Sequence, residues 1–291
     1  KKKGKVGSKL DANQYRDACR DYALQQVSEQ RDDFIRLGIL GQWEKPYLTL
    51  DRNYEAEQIR AFATIVKNGH LVYGHKPVHW CLDCKSALAE AEVEYKDKES
   101  CSADVRFRII DTNEFLTRTG LNLDQTDRPI YLPIWTTTLW TLPANQAVVL
   151  GEDLNYLLVA TESEHGPYYV IVAEGLQASI RDRWQAEKWD VIGSVNPSDL
   201  EGLSLQHPFY QRQVPTLIGG HVTLEAGTGA VHTAPAHGHD DFIIGQKHDL
   251  PLENPVNDFG IFTPSTEYFA GQHVLKVESK IIEKLQENNN L

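Results

Sequence analysis

Methionine is absent from all 291 positions, the first included, which sets the expectation that the chain is a piece of a longer or processed protein. Cysteine is scarce. There are four, Cys19, Cys81, Cys84 and Cys101, and two of them form a C-x-x-C. That is too few for a disulfide-stapled secreted scaffold, and the pair reads as metal or redox chemistry. No apolar run reaches the ~18 residues of a membrane span. The basic start "KKKGKVGSKL" is followed by no apolar stretch, so no signal peptide and a cytoplasmic location are expected. Cations are also in deficit: 29 Lys and Arg stand against 41 Asp and Glu, for a formal net charge of −12. This argues against a broad, sequence-independent grip on a nucleic acid backbone and leaves room for a local contact with one strand end. Lys1, Lys2, Lys3, Lys5 and Lys9 read as a solvated arm.

What is present is ordinary globular composition, 41% hydrophobic and 24% charged, enough for one large or two modest domains. Residues 11–37 read as a helix, opened by a capping box of Asp11 and Gln14. A second helix is expected from about Tyr54 to Lys67, capped by Asn53 and stopped at Gly69. The texture changes near residue 70 to short strands and a knuckle, then to β-rich sequence after Cys101. "RPIYLPIW", "NYLLVA", "YYVIVA", "WDVIGSV", "VPTLIGG" and "HVTLEAGTGAVHTAP" are β-branched or aromatic runs parted by turn residues, with "TESEHGP" as a hairpin loop. This spacing predicts a closed or nearly closed barrel. Residues 174–187 read as helical, and Val274, Val277, Ile281 and Leu285 repeat at helical spacing near the C-terminus. The fold class is thus α+β (α/β). Its parts are a helical front at 1–73, a cysteine-containing stem at 74–98 and a β-rich body at 99–291.

Three places concentrate chemistry. Cys81 and Cys84 have the spacing of one zinc knuckle. His75, His79 and Cys101 are candidates to complete it, and the other reading is a half-site whose partners lie beyond residue 291. In "WTTTLWTLP", a strand would put Thr136 and Thr138 on one side and Thr137 on the other. Such hydroxyls hold a water or ligand oxygen but are poor nucleophiles without a base. "GTGAVHTAPAHGHDDF" reads as turn, strand and loop, with Gly227 and Gly229 allowing close backbone approach and Asp240 and Asp241 near a helix start, where the dipole favours carboxylates. A hydrolytic metal site of His232, His237, His239, Asp240 and Asp241 is chemically legal. So is a satisfied core histidine with capping aspartates, and spacing alone does not choose.

"KPVHWCLDCKSALAEAEVEY", "IWTTTLWTLPANQAVVL" and "HVTLEAGTGAVHTAPAHGHDDF", in this order, resemble bacterial-type isoleucyl-tRNA synthetases, which are class I aminoacyl-tRNA synthetases. The resemblance is to their connective insertion, the editing domain, and covers nearly the whole chain. It implies a β-barrel-like editing domain at 99–291 with flanking helices, a helical remnant of the catalytic domain, and a short zinc-ribbon-like stem. It also implies hydrolysis of valine wrongly esterified to isoleucine tRNA, and of valyl-adenylate, with isoleucine excluded. A hydrophobic pocket separates the two amino acids by only about 1–3 kcal/mol, a case for which this synthetase is itself the standard example. By resemblance, Thr136, Thr137 and Thr138 hold the ester and its attacking water, and Trp140 is a pocket aromatic. His232 is the wall against isoleucine, and Asp241 pairs with the substrate ammonium. Gly227, Thr228 and His237 join the substrate-binding group. Leu139, Ala236 and His239 depart from the family pattern beside these positions, which bears on loop shape.

Editing is expected to need no cofactor. Zinc at Cys81 and Cys84 would draw further ligands from outside the chain, and ATP belongs to the parent enzyme, whose H-I-G-H and K-M-S-K-S type motifs do not occur here. The implied partners are the tRNA 3′ end carrying valine and the remainder of the parent synthetase, with a monomer and no membrane. The competing readings are a metal-dependent hydrolase and a non-catalytic tRNA-binding module.

Overall fold

The computed structural model describes residues 10–97 and 99–291, so the lysines of the expected basic arm lie outside the described residues. The chain forms two compact units, Lys1–Gly74 and His75–Leu291. In the first, helix α1 spans Ala12–Arg36. The Asp11 carboxylate accepts from the Asn13 and Gln14 amides at 2.9 Å. The Gln14 side chain accepts from the Asp11 amide at 3.2 Å, which completes the expected capping box. Helix α2, Arg52–Lys67, is capped by Asp51 and not by Asn53. The Asp51 carboxylate takes the Asn53 amide at 2.8 Å, so the helix begins two residues before the place the sequence suggested. Neither helix buries a residue.

The second unit opens with a two-stranded ladder, β1 (Trp80–Cys81) against β2 (Ser86–Ala87). Its body contains β3 (Ala103–Ile109), α3 (Thr112–Thr119), β4 (Ile130–Thr136), β5 (Ala147–Gly151), β6 (Tyr156–Ser163) and β7 (Gly166–Ala173). Then come α4 (Gln177–Trp184), β8 (Asp190–Val195), α5 (Pro197–Leu200), β9 (Ser204–Gln206), β10 (Gln213–Gly219), β11 (Ala230–Thr233), α6 (His239–Lys247) and α7 (Glu278–Glu287). One nine-stranded mixed sheet runs in the order β11-β5-β10-β9-β3-β4-β7-β6-β8. The pairs β10/β5 and β4/β7 are parallel.

The expected barrel is therefore an open ladder that curls until its β11 end meets its middle. The Thr228 hydroxyl donates to the Pro133 carbonyl of β4 at 2.6 Å, and the Ala173 amide of β7 donates to the Thr228 carbonyl at 2.9 Å. Gly229 makes the approach feasible. Its φ is +84°, and a Cβ there would lie 2.3 Å from that of Ala173.

Two further local expectations fail. The segment 221–226 forms no strand, and only Ala230–Thr233 joins β5. Helix α7 begins at Glu278, after the first residues of its apolar stripe. Ahead of it the Val274 amide donates to Gly260 and the Leu275 amide to His273 Nδ1, and these bonds commit the backbone to the bridge between Ile261 and His273. Val274, Val277, Ile281 and Leu285 are all buried nonetheless. In β4, buried Ile130, Leu132, Ile134 and Thr136 alternate with residues on the other face, two of them half-buried. This is the period-2 pattern of a strand with a core face.

Candidate active site

Strand β4 ends at Thr136, and the chain turns at once into a short 3-10 helix, Leu139–Ala144. The straight threonine strand expected from sequence is thus a strand end and a turn. The cause is local: Thr136 Oγ1 accepts from the Thr138 amide at 3.0 Å, a side-chain bond that competes with the ladder. The turn still brings the Thr136 and Thr138 hydroxyls together, at 3.3 Å. Thr136 is buried, while Thr137 and Thr138 are exposed. Beside them lies a cleft of about 610 Å³, lined by Thr137, Thr138, Trp140, Cys101, Leu275 and Glu278 among others.

His232, buried on β11, pairs with Val148 of β5. Its Nε2 lies 2.8 Å from Thr141 Oγ1, and its Nδ1 lies 3.4 Å from Asn145 Nδ2. The neighbouring bonds fix the tautomer. The Thr141 hydroxyl donates to the Thr138 carbonyl at 2.9 Å, so it must accept from His232 Nε2–H. The Asn145 amide group donates to the Ala147 carbonyl at 2.8 Å and offers its second proton to Nδ1. Burial holds the imidazole neutral, with its pKa lowered to about 4. Both ring nitrogens are committed inside the protein, so the ring is a fixed surface. It is not free to be a base or a metal ligand. Thr141 and Asn145 were missed in the sequence. The available signal was two polar residues four apart in the apolar run "LWTLPAN", where a buried polar group needs a partner.

Asp240 and Asp241 stand in the first turn of α6, as expected. Asp241 Oδ2 accepts the Ala234 amide at 2.9 Å, which ties α6 to the end of β11. Gly238 leaves room for it: a Cβ there would lie 3.0 Å from the Asp241 Cγ. Burial pushes the Asp241 carboxyl upward, and the Ala234 N–H bond opposes this. A partly desolvated carboxylate gains from a cation beside it. His237 meets Trp140 edge-on, with centroids 5.1 Å apart, and burial lowers its pKa to about 4. His239 and Asp240 are exposed. Thr228 is 1% exposed and its hydroxyl is spent on Pro133, so it braces the sheet. Gly227 accepts from the Arg183 guanidinium at 3.3 Å. Among the described residues, no three His, Cys, Asp or Glu side chains are grouped to hold a metal. In the cysteine hairpin, the Cys84 amide donates to Cys81 Sγ at 3.2 Å, and this bond is first among the causes that lower the Cys81 pKa.

The family described as class I tRNA synthetases (I, L, M and V) matches residues 1–289. An isoleucine–tRNA ligase of Alkalilimnicola ehrlichii is 49% identical over the whole chain, which spans 31% of its length. That of Nitrosococcus oceani is 50% identical, again over the whole chain and 31% of its length. In structure, the P. falciparum cytosolic leucyl-tRNA synthetase editing domain superposes with a TM-score of 0.53 at 9% identity. The match covers 65% of this chain and 98% of that one, and shows a shared fold.

Proposed function

Because the chain belongs to the class I tRNA synthetases of the I, L, M and V group, we propose that it is an editing module that hydrolyses valine from isoleucine tRNA and spares isoleucine. The carrying observation is the His232 ring, neutral and hydrogen-bonded at both nitrogens, two hydrogen bonds from cleft-lining Thr138. A side chain held this way suits a size wall, because a rigid, well-packed surface penalises one extra methylene steeply. Asp241 takes the α-ammonium of the substrate. The Thr136 and Thr138 hydroxyls hold the ester and a water. The water oxygen bonds to the ester carbon, the C–O bond to the ribose breaks, and the ribose oxygen leaves with a proton. Free valine is the other product. Catalysis by such a site is chiefly positioning and electrostatics. Valyl-adenylate has the same reacting carbonyl and fits the same description. The metal-dependent alternative loses its central ligand, since His232 has no nitrogen to offer.

We assign the Cys81–Cys84 hairpin to half of a zinc site completed by residues outside these 291. The bond from the Cys84 amide to Cys81 Sγ supports this by favouring the thiolate that a metal needs. The parent enzyme would join isoleucine to its tRNA with ATP bound elsewhere.

The test is deacylation of isoleucine tRNA charged with valine or with isoleucine. Release of valine alone is expected. Equal release of both removes the wall from His232, and release of neither by the folded chain removes the editing reading.

A further inference from the structure

Thr141 and Asn145, the two residues that fix the His232 ring, stand on either side of the Leu142 and Pro143 carbonyls of the 3-10 helix. Carbonyls at a helix end lack a full set of partners within the helix and take others. Both are held here from one distant loop, residues 207–212, which joins β9 to β10. His207 Nε2–H donates to the Leu142 carbonyl at 3.1 Å, and Arg212 Nη2–H donates to the Pro143 carbonyl at 3.0 Å. Peptide groups are planar, so pinning two successive carbonyls fixes the rotation of this short helix about its axis. That rotation sets where Thr141 Oγ1 and Asn145 Nδ2 meet the ring. A 3-10 helix has poor internal hydrogen-bond geometry, which makes outside support matter more.

The loop has little freedom of its own. The His207 amide donates to the Arg212 carbonyl at 3.0 Å and closes it. The buried His207 ring stacks on Tyr210 with centroids 4.9 Å apart, and Tyr210 stacks in turn on Tyr268 at 5.9 Å. The Arg212 guanidinium lies over the Tyr210 ring, 5.3 Å from its centre. Glu253 ties the loop to the far side of Asn145. Its Oε2 accepts from Gln146 Nε2 at 3.1 Å and lies 3.9 Å from Arg212 Nη1. We propose that His207 and Arg212 are positioning residues for the size selection at His232, acting through the 3-10 helix and touching neither the ester nor the water. The selection itself rests on the editing reading.

The experiment is deacylation of isoleucine tRNA charged with valine or with isoleucine by the 291-residue chain and its variants. Amide hydrogen exchange of residues 139–146 is read alongside. His207→Asn keeps an acceptor near Nδ1 for the loop amides but is too short to reach Leu142. His207→Gln reaches as far as Nε2 and restores the donor. Arg212→Met keeps the stem over Tyr210 and removes the donor. His207→Asn and Arg212→Met should lower the valine-to-isoleucine rate ratio by about tenfold, part of the ~10–200-fold that one methylene is worth. The fall should come from faster loss of isoleucine, with KM for the valine ester unchanged. Exchange in 139–146 should quicken in both, and His207→Gln should recover most of the ratio. General destabilisation scales both rates alike. Phe115→Leu, in the buried core under α3, should therefore lower the urea midpoint and leave the ratio unchanged. The proposal is overturned if His207→Asn and Arg212→Met slow both esters in proportion, if His207→Gln is as unselective as His207→Asn, or if exchange in 139–146 stays at the wild-type rate. Should His207→Asn not fold, Arg212→Met, at a half-buried site, decides alone. A wild-type chain that releases neither ester loses the editing reading. Exchange then decides the clamp: quicker exchange in the variants retains it as the support of the His232 ring, and unchanged exchange removes it.

Discussion

His232 is the residue where chemistry and packing meet. Truncation to alanine removes a buried ring whose nitrogens satisfy Thr141 and Asn145. His232→Ala is expected to let isoleucyl-tRNA be hydrolysed as well, read as a fall in the valine-to-isoleucine rate ratio. If the cognate ester stays intact, the wall lies elsewhere. Thr141→Val is a finer probe. It leaves the ring in place but strands Nε2–H, at a cost of about 1–3 kcal/mol for an unsatisfied buried donor. The ring should then lose its fixed orientation, and the ratio should fall by less than in His232→Ala. A ratio equal to wild type would show that the Thr141 hydroxyl does not orient the wall.

The buried histidines also set a pH dependence of stability. His207 is lowered to about 3, and His232 and His237 to about 4, each chiefly by burial. His207 is fixed as firmly as His232. Its Nε2–H donates to the Leu142 carbonyl at 3.1 Å, and its Nδ1 accepts the Phe209 and Tyr210 amides. In the unfolded chain these groups take protons near pH ~6.5. The native state refuses them until the pH is far lower. Their stabilisation is therefore complete above pH ~6.5 and is lost as the pH falls from there toward 4 and 3. Each pH unit costs up to about 1.4 kcal/mol per fully buried histidine. Asp241, raised by burial, works in the opposite sense. Urea midpoints at successive pH values should drop steeply between about pH 6.5 and 4.5. His207→Gln should flatten the curve, and a flat wild-type curve would refute neutral burial.

How much of this site the sequence disclosed depends on the residue. Thr136, Thr138, Trp140, His232 and Asp241 stand in motifs whose order carries the family resemblance. Thr141 and Asn145 do not announce themselves, because their role is to satisfy a ring that is 91 and 87 positions away in the chain.

At the scale of elements, signals that act within one turn were readable. The capping box of α1 is a three-residue pattern, and it formed as expected. The hairpin of β6 and β7 closes with Ser163 opposite Gly166, inside the segment marked as its loop. Failures came where a distant partner decides. Segment 221–226 has strand-like residues but gains no ladder neighbour, since β5 is already flanked by β10 and β11. The start of α7 is delayed by the bridge to Ile261.

The closure beside β11 offers a test at this scale. Gly229→Ala would place a methyl 2.3 Å from the Ala173 Cβ, at a φ of +84° that disfavours any side chain. Both effects act on the strand that carries His232. A loss of about 2–4 kcal/mol is expected from urea unfolding, with deacylation lost alongside. A stable, active variant would show that the sheet tolerates opening at this corner.

At the scale of the whole molecule, the sequence correctly implied a helical front and a β-rich body. It left open whether the barrel is closed or nearly closed, because alternation reports which face of a strand is buried, not whether the last strand finds the first. It also could not show how unequally the two units are built. Among the described residues, every fully buried hydrophobic side chain falls between Val105 and Leu285, and none lies in the first unit. Yet α2 carries Ile59, Phe62, Ile65 and Val66 at helical spacing, all exposed. Burial of apolar area is the main favourable term in folding. The first unit therefore adds little to stability, and the second should fold without it. A chain of residues 75–291 is expected to show the same urea midpoint as the full 291, with unfolding free energies that agree within about 0.5 kcal/mol. It should also release valine from mischarged tRNA at the same rate, because Thr136, Thr138, His232 and Asp241 all lie in the second unit. A lower midpoint would mean that the helices pack on the body in solution. An intact midpoint with slower deacylation would instead give the first unit a part in presenting the tRNA.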